Sequence, residues 1–220
     1  MAGRQKLNRF NQNQLAPNVI ERGKTGYVTL RGRWNQDYFE KDQPITVELG
    51  CGKGEYTVGL AMQYPNRNFI GVDIKGDRIA RGSQLALAAG LSNVAFLRTD
   101  VRYLDEFFTA DELAELWITF PDPQLRDRRE KHRLTHPDFL GMYARFLQPS
   151  GLLHLKTDNA PFYAYTLGTL STANFRLTQA TTDLYASPLN EIHQNIRTTY
   201  EAIFFAKGFT IHYLQAKRES

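Results

Sequence analysis

The sequence predicts an α/β fold, a doubly wound and mostly parallel sheet with helices on both faces. Three observations predict it. Apolar runs of strand length alternate with helix-length segments between residues 45 and 158. These runs end in acids, at Asp73, Asp100, Asp122 and Asp158. A glycine-rich turn follows the first run. Such sheets bind ligands at the carboxyl ends of their strands, the edge on which these acids would fall.

The chain opens with a basic segment. Residues 1–34 hold seven Lys/Arg against Glu21, a net of +6, and the remainder has 20 basic against 22 acidic residues, or −2. This reads as a flexible basic extension over 1–34, with a mobile Asn/Gln-rich stretch at 8–14, followed by a single domain over 35–220. Basic attachments suit a polyanion through phosphate contacts; a merely solvated tail is the alternative.

The run 45–47 reads as the first strand and 56–64 as the helix after it. Between them lies Glu48-Leu49-Gly50-Cys51-Gly52-Lys53-Gly54-Glu55. Glycines there permit a tight turn and close approach of a ligand to the backbone. The third glycine of a dinucleotide fingerprint is replaced by Glu55, and no Ser or Thr follows Gly52-Lys53, which excludes a P-loop. Residues 68–73 form the second strand. A helix over 77–89, carrying Ile79, Leu85, Leu87 and Ala89, stops at Gly90. Residues 94–100 form the third strand. An acid ending the second strand suits ribose hydroxyls. One near the third strand end can accept from an exocyclic amine. An acidic cleft tolerates a sulfonium. S-adenosylmethionine fits all three conditions. Glu48 has a structural alternative, satisfying backbone donors of the loop.

The run 116–122 reads as the next strand and leads into Pro121-Asp122-Pro123. Two prolines restrict the backbone around Asp122, which suits either a polar turn or a carboxylate aimed into a pocket. Residues 124–136 then hold five Lys/Arg against two acids, flanked by His132 and His136. Apolar spacing predicts a helix over 139–147, with Thr135 at its start, Asp138 three residues on and His136 in its first turn. A strand over 151–158 follows, with Asn159 as the next N-cap. Strands are expected at 174–184 and at 209–215, the latter alternating around Phe209, Ile211 and Tyr213, with a loop over 183–192. Thr198 and Glu201 form a capping box opening a helix that Gly208 closes.

Several classes are excluded. A single cysteine, Cys51, gives no internal disulfide framework and fits a reducing cytoplasm. There is no apolar stretch long enough for a membrane span, no secretory signal, no internal repeat and no zinc spacing.

Glu48-Leu49-Gly50-Cys51-Gly52-Lys53-Gly54, Phe69-Ile70-Gly71-Val72-Asp73, Phe120-Pro121-Asp122-Pro123, Arg133-Leu134-Thr135-His136-Pro137, Lys156-Thr157-Asp158-Asn159 and Thr198-Thr199-Tyr200-Glu201 occur in that order. Together they resemble the bacterial tRNA (guanine-N7-)-methyltransferase family, over about residues 48–208. The resemblance implies a seven-stranded class I methyltransferase sheet with one antiparallel strand near the C-terminus. It implies that S-adenosylmethionine is bound by Glu48, Gly50, Gly52, Gly54, Asp73 and Asp100. Asp122 would lie at the methionine end of the cofactor as the catalytic carboxylate. Arg126, Asp158, Thr198 and Glu201 would contact tRNA at a variable-loop guanine. No metal is implied, and the family includes monomers and dimers. The family continues Pro-Asp-Pro with Trp-Pro-Lys, whereas this chain has Gln124-Leu125-Arg126, so the contacts of this loop differ from the pattern. A nicotinamide oxidoreductase is disfavoured by Glu55, a non-catalytic RNA binder by the intact acids, and an amino-nitrogen methyltransferase by Gln124, where a second proline would stand.

Overall fold

The computed structural model describes residues 9, 11–193 and 196–219. Its eight strands form a mostly parallel sheet, one strand more than the seven expected. The chain divides into two compact units, Met1–Thr109 and Ala110–Ser220.

In the first unit the strands are β1 (Val19–Ile20), β2 (Ile45–Leu49), β3 (Asn68–Asp73) and β4 (Val94–Arg98), in the spatial order β1-β4-β3-β2 and all parallel. Every residue of β2 and β3 is buried, as expected of parallel strands covered on both faces. The additional strand is β1, two residues that pair with Phe96 and Leu97 and are too short to show a period in sequence. Helices α1 (Glu55–Gln63) and α2 (Gly76–Ala88) follow β2 and β3. Helix α2 buries Ile79, Ala80, Gly82, Ser83 and Ala86, whereas Leu85 and Leu87 are exposed. The buried face is thus the 79/82/83/86 stripe of a 3.6-residue period, not the leucines singled out in sequence.

The described part of the basic N-terminal segment is packed. Residues 11–15 are helical. Lys24 Nζ donates to the carbonyls of Asn13, Ala16 and Val19 at 2.5, 2.7 and 2.9 Å, so this cation closes a helix end. Glu21 is buried and pairs with Arg98 at 3.0 Å. Trp34 is fully buried; its indole N–H donates to the Phe107 carbonyl at 2.9 Å. Of the stretch 8–14 expected to be mobile, residues 8 and 10 lie outside the described residues, as do 1–7.

In the second unit the strands are β5 (Leu113–Thr119), β6 (Leu147–Thr157), β7 (Phe175–Thr181) and β8 (His212–Arg218), ordered β5-β6-β8-β7. β5 and β6 are parallel, and β8 runs antiparallel to both β6 and β7. It is the single reversed strand expected near the C-terminus. Helices α3 (Pro137–Phe146), α4 (Ala160–Thr169) and α5 (Thr199–Ala206) complete the unit. Residues Pro188–His193, expected as loop, form a 3-10 helix.

Of the boundaries that differ from the sequence reading, three have a clear physical cause. β5 ends at Thr119 rather than 122, because Phe120 turns to φ +48° and Pro121 has no N–H for the ladder. β8 begins at His212, opposite the last residue of β6, Thr157, and Phe209 is left exposed. Helix α3 is capped by His136, whose Nδ1 accepts from Asp138 N, with Pro137 at the first helical position. Thr135 instead lies buried, its hydroxyl 2.8 Å from that of Thr166.

Candidate active site

The first unit builds its part of the site from the turn between β2 and α1. Gly50, Gly52 and Gly54 have φ of +71°, +55° and +67°, a run of left-handed residues that glycine takes without a Cβ penalty. The amides of Gly50 and Cys51 donate to the Val72 carbonyl at 2.8 and 3.0 Å, which folds the loop back onto β3. Two of the glycines have different reasons to be glycine. A Cβ at Gly54 would stand 2.5 Å from the Phe96 ring and 3.0 Å from Gly82 Cα. A Cβ at Gly52 would meet nothing nearer than the Gly50 carbonyl at 3.9 Å. The backbone at Gly52 therefore borders open space, as a cradle for a ligand requires.

Glu48, Asp73 and Asp100 are all engaged. Glu48 is buried; its Oε2 accepts from the Thr57 amide at 2.9 Å and from the Thr57 hydroxyl. It neutralises orphan donors in the first turn of α1, where a negative charge is favoured. Asp73 is buried at the end of β3 and bridges two segments. Its Oδ2 accepts from Gly52 N at 2.9 Å and its Oδ1 from Lys75 N at 2.8 Å. Asp73 thereby fixes the middle of the glycine loop. Asp100 caps the 3-10 turn Val101–Glu106 through Arg102 N and receives the Arg102 guanidinium on both oxygens, at 3.0 and 2.7 Å. Cys51 is buried, and burial, then Glu48 and Asp73, push its thiol well above the ordinary range. A thiolate nucleophile is disfavoured there.

The second unit builds its part from the ends of β5 and β6 and the start of α5. Phe120 takes a left-handed φ although it is aromatic and precedes a proline, a combination that costs free energy. Its amide donates to the Lys156 carbonyl at 2.8 Å. Asp122 is exposed and accepts from Gln124 N at 3.1 Å; Gln124 is left-handed as well, at φ +45°. Arg133 braces this loop, donating from Nε to the Gln124 carbonyl at 3.3 Å while its guanidinium lies 4.3 Å from the Tyr165 ring centroid. The segment Gln124-Leu125-Arg126 is thus held from outside itself. Arg126 is exposed just before the 3-10 helix Asp127–His132, which buries none of its residues.

Asp158 is half-buried directly after β6. Its charge, after burial, raises the phenol of Tyr200. Asn159 caps α4, accepting from Phe162 N at 2.8 Å. Thr198 and Glu201 form the expected capping box of α5. Glu201 is fully buried, pairs with Lys156 at 2.8 Å and accepts from the Tyr185 hydroxyl at 2.6 Å. Burial, then the Glu201 hydrogen bond and charge, raise the Tyr185 phenol.

Of the residues expected in sequence, Glu48, Gly52, Gly54 and Asp73 are brought together in the first unit, and Asp100 follows β4 two residues beyond Arg98, the register partner of Asp73. In the second unit Asp158, Thr198 and Glu201 share a neighbourhood with Phe120, Lys156 and Tyr200. Sequence reading passed over Thr57, Arg102, Lys156 and Tyr185. Lys156 lay inside a quoted motif, but nothing in a strand pattern says that its ammonium will be buried. Arg102, two residues after Asp100, is the one with a local signal, since an acid capping a turn meets side chains two positions on.

Comparison with known proteins shows the family and the fold. A family model described as a putative methyltransferase matches residues 42–214. The tRNA (guanine-N(7)-)-methyltransferase of Christiangramia forsetii is 43% identical over 99% of both chains. That of Porphyromonas gingivalis is 47% identical over 89% of this chain and 80% of its own. That of Cytophaga hutchinsonii is 41% identical over 96% of each. Among solved structures, a 16S rRNA methyltransferase, KamB, superposes with a TM-score of 0.69 at 15% identity, covering 92% of this chain and 99% of that one. An antibiotic-related methyltransferase superposes with 0.65 at 19% identity, covering 90% and 97%. At these identities the two structures show a shared fold only.

Proposed function

From the chain's membership of the tRNA (guanine-N7-)-methyltransferase family, we infer how its residues perform the family's reaction. The enzyme transfers a methyl group to N7 of a guanine in tRNA. The donor is S-adenosylmethionine, and the target lies in the variable loop. The observation that carries the assignment to residues is Asp122, an exposed carboxylate between two prolines just beyond β5.

The donor set fits the cofactor. The left-handed glycine loop leaves room at Gly52, and the acids Glu48, Asp73 and Asp100 suit hydroxyls, an amine and a cation rather than a pyrophosphate. Asp73 would accept from the ribose with lone pairs not used by the loop amides. Glu48 would act through the α1 terminus that it holds in place. Gly50 and Gly54 shape the turn. When bound, S-adenosylmethionine supplies an electrophilic methyl group on a sulfonium.

Guanine N7 has an available lone pair, so no base is needed to activate it. The N7 lone pair would take the methyl group that bound S-adenosylmethionine supplies, the carbon–sulfur electron pair would return to sulfur, and positive charge would pass to the purine. Asp122 holds guanine by accepting from its ring N–H and amino group, or stabilises the emerging cationic base. Arg126, Asp158 and Thr198 contact the RNA near the base, and Glu201 acts by fixing α5. The cations of 126–133 meet phosphate. Residues 35–220 are read as the catalytic domain and 1–34 as its basic extension. Among the described residues no helix is long and apolar enough to cross a membrane, and no group of three or more His/Cys/Asp/Glu could hold a metal. We place the enzyme in the cytoplasm.

The test is transfer of labelled methyl from S-adenosylmethionine to unmodified tRNA, followed by nucleoside analysis. Labelled 7-methylguanosine is the expected product. Label in any other nucleoside, or none with cofactor bound, would overturn the reading.

A further inference from the structure

Helix α5 inverts the usual pattern of burial. It is an apolar helix, Thr-Tyr-Glu-Ala-Ile-Phe-Phe-Ala, that buries only its charged residue, Glu201. Tyr200, Ile203 and Phe205 are 46, 48 and 43% exposed. The pairing of Glu201 with Lys156 fixes the rotation of the helix about its axis. In a helix of 3.6 residues per turn the residue before the acid lies about 100° from it round the axis, which places Tyr200 off the buried side.

Tyr200 is the best supported of these exposed rings. Phe204 stacks on it at 4.3 Å with planes 26° apart, and Phe120 approaches at 5.5 Å and 50°. Phe120 is the left-handed residue that leads through Pro121 to Asp122. Asp158 is close enough to Tyr200 to act on its phenol, and Thr198 caps the same turn. Cations border the face: the Arg197 guanidinium lies 4.5 Å from the Tyr185 ring centroid and 5.3 Å from that of Phe205, and Lys207 Nζ lies 5.2 Å from that of Phe204. Half-exposed rings beside cations suit a nucleotide, with the base on a ring and the phosphate on a cation.

We propose that Tyr200 is the surface on which the target guanine stacks once it has left the RNA stack. The proposal rests on the methyltransferase reading above. An extruded base loses its stacking partners and needs an aromatic replacement. The demand grows as the reaction proceeds, because N7 methylation makes the purine a cation and a cation is attracted to a π face. Tyr200 therefore binds the product-like base more tightly than neutral guanine, which favours the transition state over the ground state.

The experiment compares wild type with Tyr200→Phe, Tyr200→Leu and Tyr200→Ala in steady-state tRNA methylation, alongside S-adenosylmethionine affinity, melting temperature and sedimentation. Tyr200→Phe is expected within about threefold of wild type. The Leu and Ala variants should lose roughly tenfold to hundredfold in kcat/KM for tRNA, with a fall in kcat as well as a rise in KM and with cofactor affinity unchanged. Full activity in the Ala and Leu variants would overturn the proposal. So would a Phe variant as impaired as Ala, since the hydroxyl would then carry the effect. Loss of a concentration-dependent dimer with normal methylation would assign the face to a second copy of the chain instead. Wild type failing to form 7-methylguanosine would sink the methyltransferase reading itself, a result separate from any of these.

Discussion

Lys156 Nζ and Glu201 Oε1 lie 2.8 Å apart with side chains 1% and 0% exposed, tying the end of β6 to the first turn of α5. The Tyr185 hydroxyl completes the carboxylate's shell at 2.6 Å. The pair stabilises the protein little in itself, because two charges had to leave water to form it. Its consequence is positional, since it decides which side of α5 faces out. Glu201→Ala leaves the ammonium buried without this partner and is expected to cost about 3–5 kcal/mol. Lys156→Met with Glu201→Leu should recover much of that loss. Urea unfolding of the single and double variants checks both, and a double variant as unstable as the single one would contradict this account.

Gly54 and Gly52 separate packing from backbone strain within one loop. Gly54→Ala forces a Cβ against Phe96 and into a left-handed conformation, which should cost about 2–5 kcal/mol. Gly52→Ala meets only the backbone penalty, about 1–2 kcal/mol. The larger effect of Gly52→Ala should fall on cofactor affinity, since the new methyl enters open space. Denaturant unfolding and cofactor titration of both variants give the comparison. Equal stability losses would show that Phe96 yields.

Asp122 is exposed, so its charge contributes to the reaction more than to the fold. Asp122→Asn should keep cofactor affinity within about threefold and lower kcat roughly hundredfold, the scale of losing one preorganised electrostatic partner. Isothermal titration beside single-turnover kinetics tests the split. Parallel loss of binding and turnover would assign Asp122 to cofactor binding alone.

His193 gives the enzyme an acid limit. It is buried edge-on to Trp117 and Tyr213 at 5.5 and 4.8 Å. Burial, then Lys156 and His154, lower its pKa to about 2. The unfolded chain takes up this proton near pH 6.5 and the folded chain does not, so stability is complete above that pH and falls as pH drops toward 2. The loss between pH 7 and pH 5 is about 2 kcal/mol from this group. His193→Phe should flatten the pH dependence of the unfolding free energy by about one proton. An unchanged slope would show that His193 titrates normally.

The sequence by itself determined the class of fold, because strand-length apolar runs, helix-length spacers and turn glycines are local signals that the backbone obeys wherever the chain goes. It determined the capping box Thr198–Glu201 and the Asn159 cap for the same reason. It placed the acids at strand ends, where Asp73 and Asp100 are found. Tertiary structure decided what each acid does. Glu48 meets Thr57 nine residues away and Asp73 meets Gly52 across 21, and such partners are chosen by register between segments rather than by spacing along the chain. The exposure of α5 was decided the same way. Its apolar sequence predicts a buried face, but one ion pair to a residue 45 positions earlier turns the acid inward and leaves the adjacent Tyr200 half-exposed. Hydrophobic pattern reports what a segment would prefer alone; a buried charge pair, once formed, outweighs it because leaving either partner unpaired costs more than exposing a ring.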